Sequence, residues 1–274
     1  MANAPKPTTA KKESSGSSIF ASLSIVICLV VGFLLWKFVM GNPANFEGGD
    51  PAGHPLSGNY FGMVYKGGYI VPVLMGLFLM VVVFSFERFF VINKAAGKGN
   101  VDAFVKRVQT MLTSGNIDGA IAECDKQQGS VANVIKSGLR KYKEMETEAN
   151  MDTEQKCLAI QKDIEEATAL EMPMLEQNLT VIATLVSIGT LMGLLGTVTG
   201  MIKAFAALST AGAPDQATLA NGISEALINT ATGIGTSALA IIMYNLFTSK
   251  IDKLTYSIDE AGFSIVQTYA STHK

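Results

Sequence analysis

Four long apolar stretches divide the chain. Ser18–Trp36 (SIFASLSIVICLVVGFLLW) and Gly67–Phe86 (GGYIVPVLMGLFLMVVVFSF) carry no charge. Gln177–Ile202 is uncharged between Glu176 and Lys203, and Ala226–Ser249 is uncharged between Glu225 and Lys250. A hydrocarbon core of about 30 Å takes about 20 apolar residues as helix, so each stretch predicts a membrane span. With their flanks the spans fall at 18–40, 67–86, 177–208 and 219–249. The first is too long for a signal-peptide core, and Trp36-Lys37 ends it where a small-residue cleavage site would be needed, so it reads as a retained span. Residues 41–66 form a Gly/Pro-rich loop, 209–218 a short turn, 1–17 a flexible tail and 250–274 a C-terminal helix or tail.

Residues 87–176 are the one sizeable polar stretch. Within them Phe104, Val105, Val108 and Leu112 recur at helical spacing, as do Val134, Ile135 and Leu139. Ile117–Cys124 predicts a further short helix. Asp152–Leu170, rich in Glu, Lys, Gln and Ala, is expected to run on towards the third span. The fold class that follows is an all-α membrane protein with four transmembrane helices and a helical extension.

Composition agrees, with 49% hydrophobic and 16% charged residues. The net charge of −2 gives no reason to expect nucleic acid. Two His and three Cys without a CxxC pair predict no metal, no cofactor and unpaired thiols. No phosphate loop and no nucleophile–base set is present, which argues against an enzyme. Charge also orients the chain. Lys6, Lys11 and Lys12 precede the first span, twelve Lys and Arg lie in 87–176, and Lys250, Lys253 and Lys274 follow the last span. Residues 41–66 carry Lys66 alone and 209–218 carry none. The positive-inside rule makes both termini cytoplasmic and the two other connections external.

The last two spans are unusual for lipid-facing helices. Gly189, Gly193, Gly196 and Gly200 recur at steps of four, three and four, so they share a helix face on which another backbone can approach closely. Thr and Ser are frequent in both spans. Glu225 is the most expensive residue, since a carboxylate at mid-bilayer costs about 2.5–3.5 kcal/mol. Asn229, Thr232 and Thr236 follow it at steps of four, three and four, continuing one face inward. An acid followed by an amide and hydroxyls is a route for protons or ordered water. Lys203, near the outer end of the third span, is either a partner for Glu225 or a side chain snorkelling to the surface.

LMGLLGTVTGMIKAF (191–205), a short loop, and GISEALINTATGIGTSALAIIMYNLF (222–247) together resemble the MotA/TolQ/ExbB proton-channel family, and the ExbB branch in particular. SFERFFVINKA (85–95) and SGNIDGAIAECDKQQGSVANVIKSGL (114–139) resemble that family's first-span exit and its cytoplasmic helices. The resemblance implies a three-helix core in a homo-pentamer, with a dimer of a single-span ExbD- or TolR-like protein in the central pore. It implies a TonB-like protein on the outside, surrounding lipid, and a place in the bacterial inner membrane. Motif by motif it implies that Thr197 and Thr230 line a proton path with Glu225 beside it, and it matches Tyr244 and Asn245 to the family's inner Tyr-Asn pair. The implied function is a stator subunit that uses the proton motive force to energise TonB-dependent transport, or alternatively a TolQ-type stator of the Tol-Pal system. Thr190 stands where the family often has Pro, and 18–40 adds a span to the three-helix core. MotA-type members also have four.

The residues independently leave a gap that a partner would fill. Apart from Glu225 no span contains a carboxylate, and proton transfer across about 30 Å needs another titratable group near the midplane. A small-solute transporter would show repeats between its halves, and none is visible. A scaffold would tolerate the loss of Thr197 and Thr230 hydroxyls, whereas a channel would not.

Overall fold

A computed structural model describes residues 15–210 and 216–273. All of the long elements are helices: α1 (Ser15–Leu34), α2 (Tyr60–Tyr65), α3 (Val71–Ala96), α4 (Val101–Thr113), α5 (Ile117–Gln127), α6 (Gly129–Thr147), α7 (Thr153–Glu176), α8 (Leu179–Thr210) and α9 (Gln216–Thr272). Among the described residues four stretches are long and apolar enough to cross a membrane: Ala21–Met40, and parts of Gly68–Thr113, Thr153–Ala206 and Leu219–Thr272. The chain is an all-α, multi-pass membrane protein. Of the expected tail 1–17, residues 1–14 lie outside the described part, and 15–17 are already helical. The turn expected at 209–218 is shorter than its sequence suggests, because α8 reaches Thr210 and α9 begins at Gln216. Residues 211–215 lie outside the described part.

Two compact units form. The first draws on the chain up to Val83 together with Thr184–Ala240. In it α1 continues as a π-helical turn (Leu35–Met40), where Gly41 N–H donates to Trp36 O at 3.0 Å. The 41–66 segment is folded rather than a plain loop. Asn45 Nδ2 donates to the carbonyls of Val39 and Met40 at 2.8 and 2.9 Å, ending the helix. Asn59 Nδ2 donates to Asn45 Oδ1 at 3.0 Å, and Asn59 Oδ1 caps α2 by accepting from Gly62 N–H. Phe46 is buried, bridged to Pro55 and set edge-on to Tyr65. Composition alone reads Gly and Pro here as a loop. The Asx caps and the aromatic pair are what order it.

The second unit comprises Phe84–Ala183 and the chain from Ile241 onward. The predicted stripes are its core faces: Phe104, Val105, Val108 and Leu112 of α4 and Val134, Ile135 and Leu139 of α6 are all buried. Asn100, Asn116 and Asp152 cap α4, α5 and α7 through side-chain oxygens, which satisfies amides that a helix start leaves free. The second half of α9 joins this core through Ile258, Ala261, Ile265 and Tyr269. Tyr269 OH donates to Met145 O at 2.8 Å.

The expected continuous run from α7 into the third span is interrupted. Asn178 takes φ 61, a left-handed conformation that Asn tolerates. Arg88, 1% exposed, donates to the carbonyls of Met174 and Leu175 at 3.1 and 3.2 Å. It also forms a two-pronged ion pair with Glu87, whose carboxylate accepts from Asn178 Nδ2 at 3.4 Å. The last carbonyls of α7, which a helix end leaves without partners, are thus held by a guanidinium from α3.

Cys124 is buried in this core, and burial, aided by Asp125, pushes its thiol from the ordinary value up to about 12. A raised pKa keeps the neutral thiol dominant at physiological pH, and the thiolate is the reactive form. Maleimide at pH 7–8 is therefore expected to leave Cys124 unmodified in the folded chain and to react after denaturation. Cys157, half-buried, reacts first among the two. Mass spectrometry of the labelled peptides checks this.

Candidate functional site

Residues 189–200 of α8 and 222–237 of α9 meet along small residues. The four glycines of α8 all face α9. A Cβ at Gly189 would lie 2.7 Å from Ser237 Oγ, one at Gly193 3.1 Å from Gly233 Cα, and one at Gly200 2.9 Å from Gly222 O. One at Gly196 would run into the Asn229 side chain. The facing row on α9 is Gly222, Ala226, Asn229, Gly233 and Ser237. Without side chains between them the backbones approach closely, and packing of this kind replaces the hydrophobic drive that lipid does not supply. Thr190 Oγ1 donates to Ser237 Oγ at 2.9 Å, and α8 runs uninterrupted through this position, in line with the absence of Pro there.

At the edge of this seam the hydroxyls of Thr197 and Thr230 touch. Each also has a backbone acceptor. Thr197 Oγ1 donates to Gly193 O at 3.3 Å, and Thr230 Oγ1 lies within reach of Ala226 O and Gly193 O at 3.1 and 3.3 Å. Both residues are half-buried. A hydroxyl with several alternative acceptors can rotate between them, which is what passing a proton along a chain of oxygens requires.

Near this pair on α9 lies Glu225. Lys203 Nζ of α8 donates to its Oε1 at 2.6 Å, so Lys203 is a partner. Glu225 is sheltered and Lys203 remains 55% exposed. A third element closes on the carboxylate. Gly68 has φ +76, and a Cβ there would overlap Glu225 Oε1. The neighbouring Gly67 carbonyl accepts from Asn229 Nδ2 at 2.9 Å.

The row Glu225, Asn229, Thr232, Thr236 is not an open stripe in the single chain. Asn229 and Thr236 are 0% and 1% exposed. Thr232 and Thr236 hydroxyls return to Ile228 O and Thr232 O of their own helix at 2.8 and 2.9 Å, the back-bonding open to any helical Thr. The sequence spacing identifies the shared face but not what covers it. Gly67 and Gly68 were not singled out by spacing. The signal was a Gly-Gly pair at the very start of a span. Among the described residues no group of His, Cys, Asp and Glu has metal-holding geometry.

Residues 126–260, which include this seam, match the family model described as the MotA/TolQ/ExbB proton channel family. The chain is 28% identical over 159 residues to the "Tol-Pal system protein TolQ" of Pseudomonas aeruginosa, covering 58% of this chain and 69% of that protein. It is 30% identical over 112 residues to the "Putative biopolymer transport protein ExbB-like 3" of Synechocystis, covering 40% of this chain and 53% of that one. Against the "Biopolymer transport protein ExbB" of Pseudomonas putida it is 31% identical over 86 residues, 31% of this chain and 26% of the other. By this match, residues 126–260 carry the sequence of the MotA/TolQ/ExbB proton channel family.

Proposed function

We propose that the protein is an inner-membrane stator subunit that uses proton flow to drive a second protein. The observation that carries this reading is the Thr197–Thr230 hydroxyl contact, on the same α8–α9 seam as the Glu225–Lys203 pair. The path runs from Glu225 to Thr230 and Thr197, and a carboxylate from a single-span ExbD- or TolR-like partner completes it near the midplane. Both termini and the α4–α7 region are cytoplasmic, by the distribution of Lys and Arg. Each proton moved through 100 mV releases about 2.3 kcal/mol, which sets the work available per step.

Five copies form the ring around two partner chains. Self-assembly has physical support in the second unit. Tyr256 and Phe263, seven residues apart on α9, are each 69% exposed. Leu158 and Leu170 of α7 are exposed as well. Large apolar side chains beyond the spans favour contact with protein rather than water. The favoured output is a TonB-like protein and outer-membrane transport, because the stretch 191–205, with GLLGTV at 193–198, resembles the ExbB branch. The second reading, a TolQ-type stator, is favoured by the longer alignment with TolQ of Pseudomonas aeruginosa.

Native mass spectrometry of the detergent-extracted chain, co-expressed with the small single-span protein, tests the assembly. Five 29.1 kDa chains with two partners are expected. A monomer or dimer that binds no partner would sink the stator reading.

A further inference from the structure

The span 18–40 is additional to the three-helix core, and the first unit contains a continuous physical connection from it to the Glu225–Asn229 turn of α9. The connection begins where α1 lies on α3. A Cβ on Gly32 would sit 2.7 Å from Gly76 N, so the two backbones nearly touch. At the outer end, Trp36, Met40 and Val71 form a buried cluster lined by Val64, Tyr65 and Met75. The Trp36 ring stacks on Tyr65 with centroids 4.8 Å apart, and its Nε1 reaches Tyr65 O at 3.4 Å. Asn45 ties the end of the α1 helix to Asn59, and Asn59 caps α2. Lys66 Nζ donates to Ala52 O at 2.7 Å.

The next residues in the chain are Gly67 and Gly68. Their turn leaves no space for a side chain. A Cβ on Gly67 would meet Ile228 Cγ2 at 3.1 Å, and one on Gly68 would overlap the Glu225 carboxylate. Asn229 completes the joint by donating to Gly67 O. Its Oδ1 is buried and has no partner among the described residues. An amide is expensive to bury half-satisfied, by about 1–3 kcal/mol, so the bond to Gly67 is the tie that its burial provides.

We propose that α1 and the folded 41–66 cap form a brace that sets the position of the Glu225–Asn229 turn through Gly67 and Gly68, with Asn229 as the positioning residue. Asn229 does not itself carry protons. It fixes where α9 stands relative to the start of α3, and so where Glu225 is presented. The significance for proton entry rests on the function proposed above, but the brace itself does not.

The chain contains one tryptophan, Trp36, so the far end of the brace has its own reporter. The test is the emission maximum and acrylamide quenching of Trp36 in the purified full chain, in lipid nanodiscs. Asn229→Ala is expected to shift Trp36 emission to the red and to remove its protection from acrylamide. Thr232→Ala, one turn away with a hydroxyl bonded only to its own helix, is expected to change neither. Should Asn229→Ala fail to fold, Asn229→Ser reads the same quantity, since a serine is too short to keep the Gly67 bond. An unchanged Trp36 signal in a folded Asn229 variant would overturn the proposal. An equal shift in Thr232→Ala would overturn it too, as general loosening. The readout needs no proton flow, so failure of the channel reading leaves it intact.

Discussion

Gly196→Val is expected to break the α8–α9 seam, while Gly235→Val on the facing helix leaves it intact. The added Cβ at 196 overlaps Asn229, with Cγ at 2.7 Å and Nδ2 at 2.8 Å. Neither backbone can retreat without losing the neighbouring Gly193–Gly233 and Gly200–Gly222 contacts. Overpacking costs about 1–3 kcal/mol. Displacing Asn229 from Gly67 O adds a buried unsatisfied amide, about 1–3 kcal/mol more. At Gly235 nothing lies within 4 Å of the added carbon. Thermal unfolding in detergent, followed by helicity, is expected to show a large fall in Tm for Gly196→Val and little change for Gly235→Val. Equal effects would mean that helix propensity, not the seam, sets the response.

That contrast marks what could be read from the sequence. The spans were legible because apolar length against bilayer thickness leaves few alternatives, and the α8 glycine row because its 4-3-4 spacing defines a face by itself. The row that answers it on α9 is mixed, Gly222, Ala226, Asn229, Gly233 and Ser237, and no single residue type announces it. The face of Asn229 and Thr236 was legible, but its burial was not, since spacing fixes which residues align and not what packs on them. Order in 41–66 rests on Asn45 and Asn59 reaching distant carbonyls and caps, which composition does not encode. The break at Gln177–Asn178 depends on Arg88, some ninety residues earlier in the chain, supplying donors to the end of α7. Lys203 was legible only as one of two options. The 2.6 Å contact with Glu225 decides it.

The second large effect is functional. Thr197→Val and Thr230→Val replace a hydroxyl by a methyl of nearly the same size. Neither creates a cavity, and hydrogen bonds between membrane helices average only about 0.6 kcal/mol in stability, so assembly and melting are expected to stay close to those of the parent. Proton passage is different. A hydrogen bond to a charged species is worth about 1.5–3 kcal/mol, and a barrier raised by that amount slows a step by roughly 10- to 150-fold. Loss of flux with preserved assembly separates a path from a packing role.

The most direct test is therefore proton uptake into liposomes holding the chain with its single-span partner, under an imposed membrane potential, for the parent, Thr197→Val and Thr230→Val. Uptake by the parent and a loss of ten-fold or more in each variant, at unchanged native mass, are expected. Uptake in both variants equal to that of the parent would contradict the proton path, and would leave the Thr197–Thr230 contact as helix packing alone.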